Sequence, residues 1–236
     1  MPPSTSASDF PSRMFQQHAA ALVALQERCN SLWHRKTPAL PARLGGLERL
    51  VAEQHLANFK LWHAEDAARA PQTSDQELAR MKRFIDKTNQ RRNDLTEQCD
   101  SWLLDSLAAR GLPAAAAELH SESPGLMIDR LSILSLKLFH TREEISRAKA
   151  PRGHAKANRE RLRLLTEQCH DLACALDVLW QQVLAGQRRF KIYRQLKMYN
   201  DPALNPAVYG AVKGQHTRRS ATLRRVRKRH RDDLQQ

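Results

Sequence analysis

Glycine is scarce in this chain: eight in 236 residues, about half the usual ~7%. The chain is instead rich in Leu, Ala, Gln, Glu, Lys and Arg, which lose little rotamer freedom in a helix, so an all-β fold is excluded. No apolar run approaches the ~18 residues that a membrane-spanning helix requires. The first thirty residues lack the charged start, apolar segment and cleavage site of an export signal, and a soluble, unexported protein is expected. Only four cysteines occur, Cys29, Cys99, Cys169 and Cys174. None forms a CxxC pair and the last two face different directions of one predicted helix, so reduced cytoplasmic thiols are expected rather than a disulfide frame or structural zinc. Walker loop, GxGxxG, GxSxG and HExxH are all missing, which argues against a phosphate-loop nucleotide site or a serine nucleophile elbow. No cofactor is expected.

Positive charge is abundant. The chain has 39 Lys and Arg against 25 Asp and Glu, a net +14. Nine of those cations and only two acids lie beyond Gly210, so half of the excess belongs to a C-terminal tail. Arg218, Arg219, Arg224, Arg225, Arg227, Lys228 and Arg229 make that tail a polyanion-binding arm that works through charge and counterion release, for RNA, DNA, acidic glycan or anionic lipid alike. No zinc knuckle, β-sheet platform or helix-turn-helix supports specific recognition of nucleic acid.

Periodicity and punctuation predict an all-α bundle. Residues 1–11 are Pro/Ser-rich and read as a disordered lead-in. A first packing helix is expected over about 12–36, and a single helical domain over 12–210. A long helix follows Gly45-Gly46 and runs to about Ala70, where Pro71 stops it. The next starts at the capping box Ser74-Asp75-Gln76-Glu77 and runs to Gly111, closing a first hairpin over about 45–111. Ser123-Pro124 opens the most apolar helix, expected to be central, over about 124–149. A further helix over 154–186 completes a second hairpin, about 123–186, and a shorter helix is expected near 188–199. The two hairpins show signs of internal duplication: Lys60-Leu61-Trp62-His63 and Lys137-Leu138-Phe139-His140 are 77 residues apart, and Asp94 and Asp100 match Asp171 and Asp177 at that offset. The LTEQC repeat at 95–99 and 165–169, offset by 70, argues for heptad coincidence instead.

Several polar residues fall where apolar ones belong. On the helix from 74, the apolar stripe is read as Leu78, Met81, Ile85, Thr88, Cys99 and Leu103, with Arg92 in its midst and Asn89 beside it. A lone buried guanidinium costs several kcal/mol, so Arg92 should face a carboxylate or an anionic ligand, or else snorkel to the surface. Asp129, on the central helix, is one such partner. His63 with Asp66, and His140 with Glu143, stand three residues apart on helix faces, and such pairs suit general acid–base work. With Asp94, Asp171 or Asp86 adding oxygens, His63, Asp66, His140 and Glu143 form a weak alternative metal set.

The strings LWHAEDAAR (61–69), KRFIDKTNQRRNDLTEQCDSWL (82–103), SPGLMIDRLSILSLKLFHTREE (123–144) and YRQLKMYNDPALNPAVYG (193–210) resemble the bacterial family known as domain of unknown function 4254. The resemblance implies a cytoplasmic helical protein whose relatives often neighbour glycosyltransferases. Its motif positions here are His63, Glu65, Asp66, Lys82, Asp86, Asn89, Gln90, Arg92, Asp94, Asp129, Arg130, His140, Asn200 and Asp201. Cys99 stands where an Ile-like residue is expected.

The first functional expectation is a polar pocket between the hairpins that binds or processes an anionic sugar or phosphate ligand in envelope glycan (lipopolysaccharide) assembly. Arg92, Lys82, Asn89, Asp86, Arg130, Asn200 and Asp201 would bind the ligand, while His63, Asp66, His140 and Asp129 would handle protons. The second is a non-enzymatic scaffold that partners a glycosyltransferase and reaches the inner membrane with its tail. The third is a metal-dependent helical-bundle hydrolase.

Overall fold

The computed structural model describes residues 19–196. Among them are five helices, α1 (Ala19–Trp33), α2 (Gly46–Ala68), α3 (Asp75–Ala108), α4 (Pro124–Ser146) and α5 (His154–Leu184). Two short strands, β1 (Glu118–Leu119) and β2 (Arg188–Arg189), pair in parallel. Residues 19–193 belong to one compact unit, and a second begins at Arg194.

The sequence signals act locally as expected. Ser74 caps α3: its hydroxyl accepts from the Glu77 backbone N–H, and the Glu77 carboxylate accepts from the Ser74 N–H at 3.0 Å, a reciprocal pair that satisfies two orphan donors. Ser123 caps α4, with Pro124 opening the helix. Asp100 of α3 reinforces this start by accepting the Gly125 N–H at 2.6 Å and the Ser123 hydroxyl. Asp177 of α5 accepts the N–H of Ala19, the first described residue of α1, at 2.7 Å. The Asp100 carboxylate meets the positive end of the α4 dipole.

Helices α2 and α3 form one antiparallel hairpin and α4 and α5 the other, while α4 packs against each of the other four. Its inward residues Met127, Ile128, Leu131, Leu136 and Leu138 are buried, and Leu22, Cys29 and Trp33 of α1 join the same core. The first half of α3 extends beyond that core. There Ile85, Leu61 and Ala64 form a small separate cluster with Met81 beside it.

Two expectations are corrected. Leu78 is not on a buried stripe but 47% exposed, lying outside the small apolar cluster that α3 shares with α2. No helix forms over the described part of 188–199. Phe190, Lys191 and Ile192 alternate between inward and outward positions, a strand period, and Phe190 is buried. Arg188 pairs with Glu118 at 2.9 Å and Arg189 donates to the Ala117 carbonyl at 2.9 Å, tying the segment to β1. Cys169 is buried and Cys174 exposed, so the two thiols do face different ways. No helix among the described residues is long and apolar enough to cross a membrane. The lead-in, the start of the first helix, Asn200, Asp201 and the basic tail lie outside the described residues.

Candidate functional site

Three histidines from three helical elements converge. His34 lies in the turn directly after α1, His63 on α2 and His140 on α4. Ring centroids are 5.1 Å apart for His34 and His63, 5.0 Å for His34 and His140, and 5.6 Å for His63 and His140. One ring nitrogen from each lies within 4.8 Å of the other two.

Their hydrogen bonds settle which nitrogens are available. His34 Nδ1 lies 2.8 Å from the Asn30 carbonyl, which only accepts, so Nδ1 carries the proton and Nε2 the lone pair. His140 Nδ1 lies 2.8 Å from a Glu143 carboxylate oxygen, with the same consequence. The Nε2 atoms of His34, His63 and His140 are all buried without a hydrogen-bond partner. Buried polar atoms are nearly always satisfied, and three orphans meeting at one point make this the candidate site for a ligand or ion. A ring whose Nδ1–H is bound to a carbonyl or carboxylate while Nε2 stays open is how metal-ligating histidines are oriented.

Aromatic rings fix the imidazoles. Trp62 stacks on His140 at 4.7 Å and 8°, Phe139 stacks on His34 at 4.0 Å, and Phe59 meets His34 and His63 edge-on at 4.9 and 4.4 Å. Burial pushes the His63 pKa down, the neighbouring His34 and His140 push it the same way, and Asp66 and Glu143 oppose them. His63 is therefore neutral near pH 7, the form that donates to a metal. Zinc–nitrogen bonds of about 2.0–2.1 Å in a tetrahedron place nitrogens about 3.4 Å apart, so the rings would draw together by roughly 1 Å around an ion.

A buried polar chain supports this group from behind. Asn58 donates to Asp129 and to Ser132 Oγ, both at 2.9 Å. Ser132 Oγ lies 2.7 Å from His55 Nδ1, His55 Nε2 lies 2.9 Å from Asn30 Oδ1, and Asn30 Nδ2 donates to Ser135 at 2.9 Å. Because the Asn30 amide oxygen can only accept, the His55 proton is on Nε2 and Ser132 donates to Nδ1, so the whole chain points one way. Burial pushes the His55 pKa down to about 3. The chain passes through Asn30, whose backbone carbonyl orients His34.

The sequence-derived candidates divide. His63 and His140 come together, and Glu143 binds His140 as its spacing suggested. Asp66 is exposed and acts on His63 through charge, with no hydrogen bond between them among the described residues. The weak alternative metal set of His63, Asp66, His140 and Glu143 is not the group the structure brings together: His34 stands with His63 and His140, and neither carboxylate lies within that group. His34 was missed because it follows a packing helix and no spacing links it to His63, 29 residues on.

Asp129 lies eleven residues before His140, about 16 Å of helix rise, so the polar residues form two regions rather than one pocket. Asp129 accepts from Asn58 and Gln54, and Arg92 Nε is 3.9 Å from it. Arg92 therefore has the carboxylate its position demanded. Burial raises the Asp129 pKa, opposed by Arg92 and then by the Asn58 hydrogen bond.

Lys82 pairs with Asp86, ten residues or about 15 Å along α3 from Arg92. Arg130 pairs with Glu122 at 2.7 Å, Glu65 with Arg69 at 2.9 Å, and Gln90 donates to Asp94 at 2.8 Å. Asn89 is half-buried on α3, and Asp171 is exposed on α5. Arg130 and Asp171 line an open cleft between α4 and α5 with Lys137 and Gln168.

No curated protein and no solved structure matches this chain. A family model for proteins of unknown function, DUF4254, matches residues 48–192. That span holds His63 and His140 together with the Arg92–Asp129 pair, while His34 precedes it. With more than half of its length matched, the chain belongs to the DUF4254 family.

Proposed function

We propose that this protein is a metal-dependent hydrolase whose ion is held by His34, His63 and His140. The observation that carries the reading is the meeting of three buried Nε2 atoms without partners, two of them on rings whose Nδ1 protons are already committed. Three imidazoles leave one tetrahedral position open, the arrangement of catalytic rather than structural zinc sites. The ion would polarise an ester at that position while water attacks. The water oxygen bonds to the acyl or phosphoryl centre, the ester C–O or P–O bond breaks, and the departing alcohol takes a proton from the attacking water.

This reading displaces proton handling by His63 with Asp66, since that carboxylate is outside the cluster. It also displaces Arg92 as the anion receptor, because Asp129 already neutralises it. A sugar phosphate in bacterial envelope glycan assembly remains the substrate class to test first.

Metal analysis of the full-length protein is decisive. One equivalent of a divalent transition metal is expected per chain, lost in His63→Ala and His140→Ala. A wild-type protein that takes up no stoichiometric metal refutes the proposal.

A further inference from the structure

Three neutral imidazoles bring no negative charge to the ion. Among the described residues, His34, His63 and His140 form the only group of His, Cys, Asp or Glu side chains close enough to hold a metal, and no carboxylate belongs to it. Glu143 spends one oxygen on His140 Nδ1 at 2.8 Å, and Asp66 is exposed beside His63. Their charges stay outside the coordination sphere, so a divalent ion keeps both of its own.

The setting strengthens that charge. Trp62, Phe139 and Phe59 enclose the imidazoles in apolar surface, where an ion's field is screened far less than in water. Of the cations that the sequence offers for an anionic ligand, Lys82 pairs with Asp86 and Arg130 with Glu122, while Arg92 faces the Asp129 charge at 3.9 Å with its Nε outside hydrogen-bond reach of any partner.

We infer, on the reading that the three histidines hold a metal, that the ion itself is this protein's anion receptor. Its open fourth position takes an anionic oxygen of a phosphate-type ligand, and the arginines and lysine of the helix surfaces take no part. The phosphoryl oxygen coordinates the ion, and the histidine cage fixes where it sits.

Cobalt(II) in place of the native ion tests this, because four-coordinate cobalt absorbs visible light strongly and six-coordinate cobalt weakly. The full-length protein loaded with cobalt is expected to show the intense four-coordinate spectrum. Inorganic phosphate should change that spectrum saturably, azide should compete with it, and Arg92→Met should respond as the wild type does. Glu143→Gln should keep the spectrum but bind cobalt about 10–100-fold more weakly, as loss of an outer-shell partner does. A four-coordinate spectrum indifferent to both phosphate and azide, or a weak six-coordinate one, overturns the anion-receptor inference and leaves the metal centre standing. A phosphate response abolished by Arg92→Met likewise overturns it. Failure of wild-type protein to bind either cobalt or zinc removes the metal reading itself.

Discussion

The ring of His63 stands 5.6 Å from that of His140 across the α2–α4 contact, although the two are 77 positions apart in the chain. The same offset joins His55 to Ser132, two helical turns earlier on both helices. α2 and α4 therefore run side by side in the same direction and in constant register, which stacks the buried polar chain directly behind the histidine cluster. His34 enters from α1, outside the family-matched region. Replacing His34 with Ala should weaken metal binding by more than the ~10–100-fold that an outer-shell change costs, with the helical circular dichroism unchanged. Competition against a chromophoric chelator measures it, and an unaltered affinity would show that the α1 turn contributes no ligand.

His55 should give the fold a dependence on acid. Its pKa of about 3 in the protein lies below the ordinary 6.5 of an unfolded chain. The unfolded state therefore binds this proton first as pH falls, and stability present above about 6.5 is lost toward about 3, at up to about 1.4 kcal/mol per pH unit. Asp100 acts with the opposite sign. Burial raises its pKa to about 6, so its contribution is greatest below 3.8 and declines as pH rises through 6. Urea unfolding at pH 7.5 and pH 5 should show His55→Gln less stable than wild type at the higher pH but with a flatter acid slope. A slope identical to wild type would mean that His55 is not held neutral.

Gly125 sits where α3 and α4 approach closely. A Cβ there would lie 2.5 Å from the Thr96 carbonyl oxygen and 2.9 Å from the Asp100 carboxyl carbon. The first of these contacts is backbone and cannot rotate away. Gly125→Ala should therefore cost roughly 1–3 kcal/mol by forcing α3 and α4 apart, and a denaturant midpoint equal to wild type would show that the crossing yields freely.

The helices were legible because their signals are local. Ser74 with Glu77, and Ser123 with Pro124, each fix a helix start within four residues, and the apolar density of α4 correctly marked it as central. Cys99, where an Ile-like residue was expected, is fully buried with its pKa pushed up by burial, a packing residue as its position implied. His63 and His140 were legible because each sits on a helix whose face could be read. His34 was not, since a histidine just past a helix end has an ordinary role beside the negative end of the dipole. The chain of Asn30, His55, Asn58 and Ser132 escaped for a related reason: each is unremarkable on its own helix, and only tertiary contact turns them into one network. The segment after α5 misled because Arg188 and Arg189 suit a helix as well as a strand, and β1 that pairs with them is only two residues long.

Arg92 and Asp129 should respond unequally to removal. Asp129 receives the Asn58 and Gln54 amides as well as the Arg92 charge, so Asp129→Ala strips partners from three side chains and leaves a part-buried guanidinium unpaired. A loss of about 3–5 kcal/mol is expected, as for breaking a buried ion pair from one side. Arg92→Met leaves both amide hydrogen bonds in place and removes a 3.9 Å ion contact and a long 3.5 Å hydrogen bond to Asn93, so its loss should be smaller. That smaller loss should also depend on pH. Burial already raises the Asp129 pKa, and without the opposing guanidinium it rises further, so the folded protein holds this proton to higher pH than the unfolded chain does. Stability of Arg92→Met should therefore fall as pH rises from about 4 through the new pKa, making the variant closer to wild type at pH 5 than at pH 7.5. Denaturant titrations of both variants at the two pH values measure this, and an Arg92→Met penalty independent of pH would show that the guanidinium does not govern the Asp129 carboxyl.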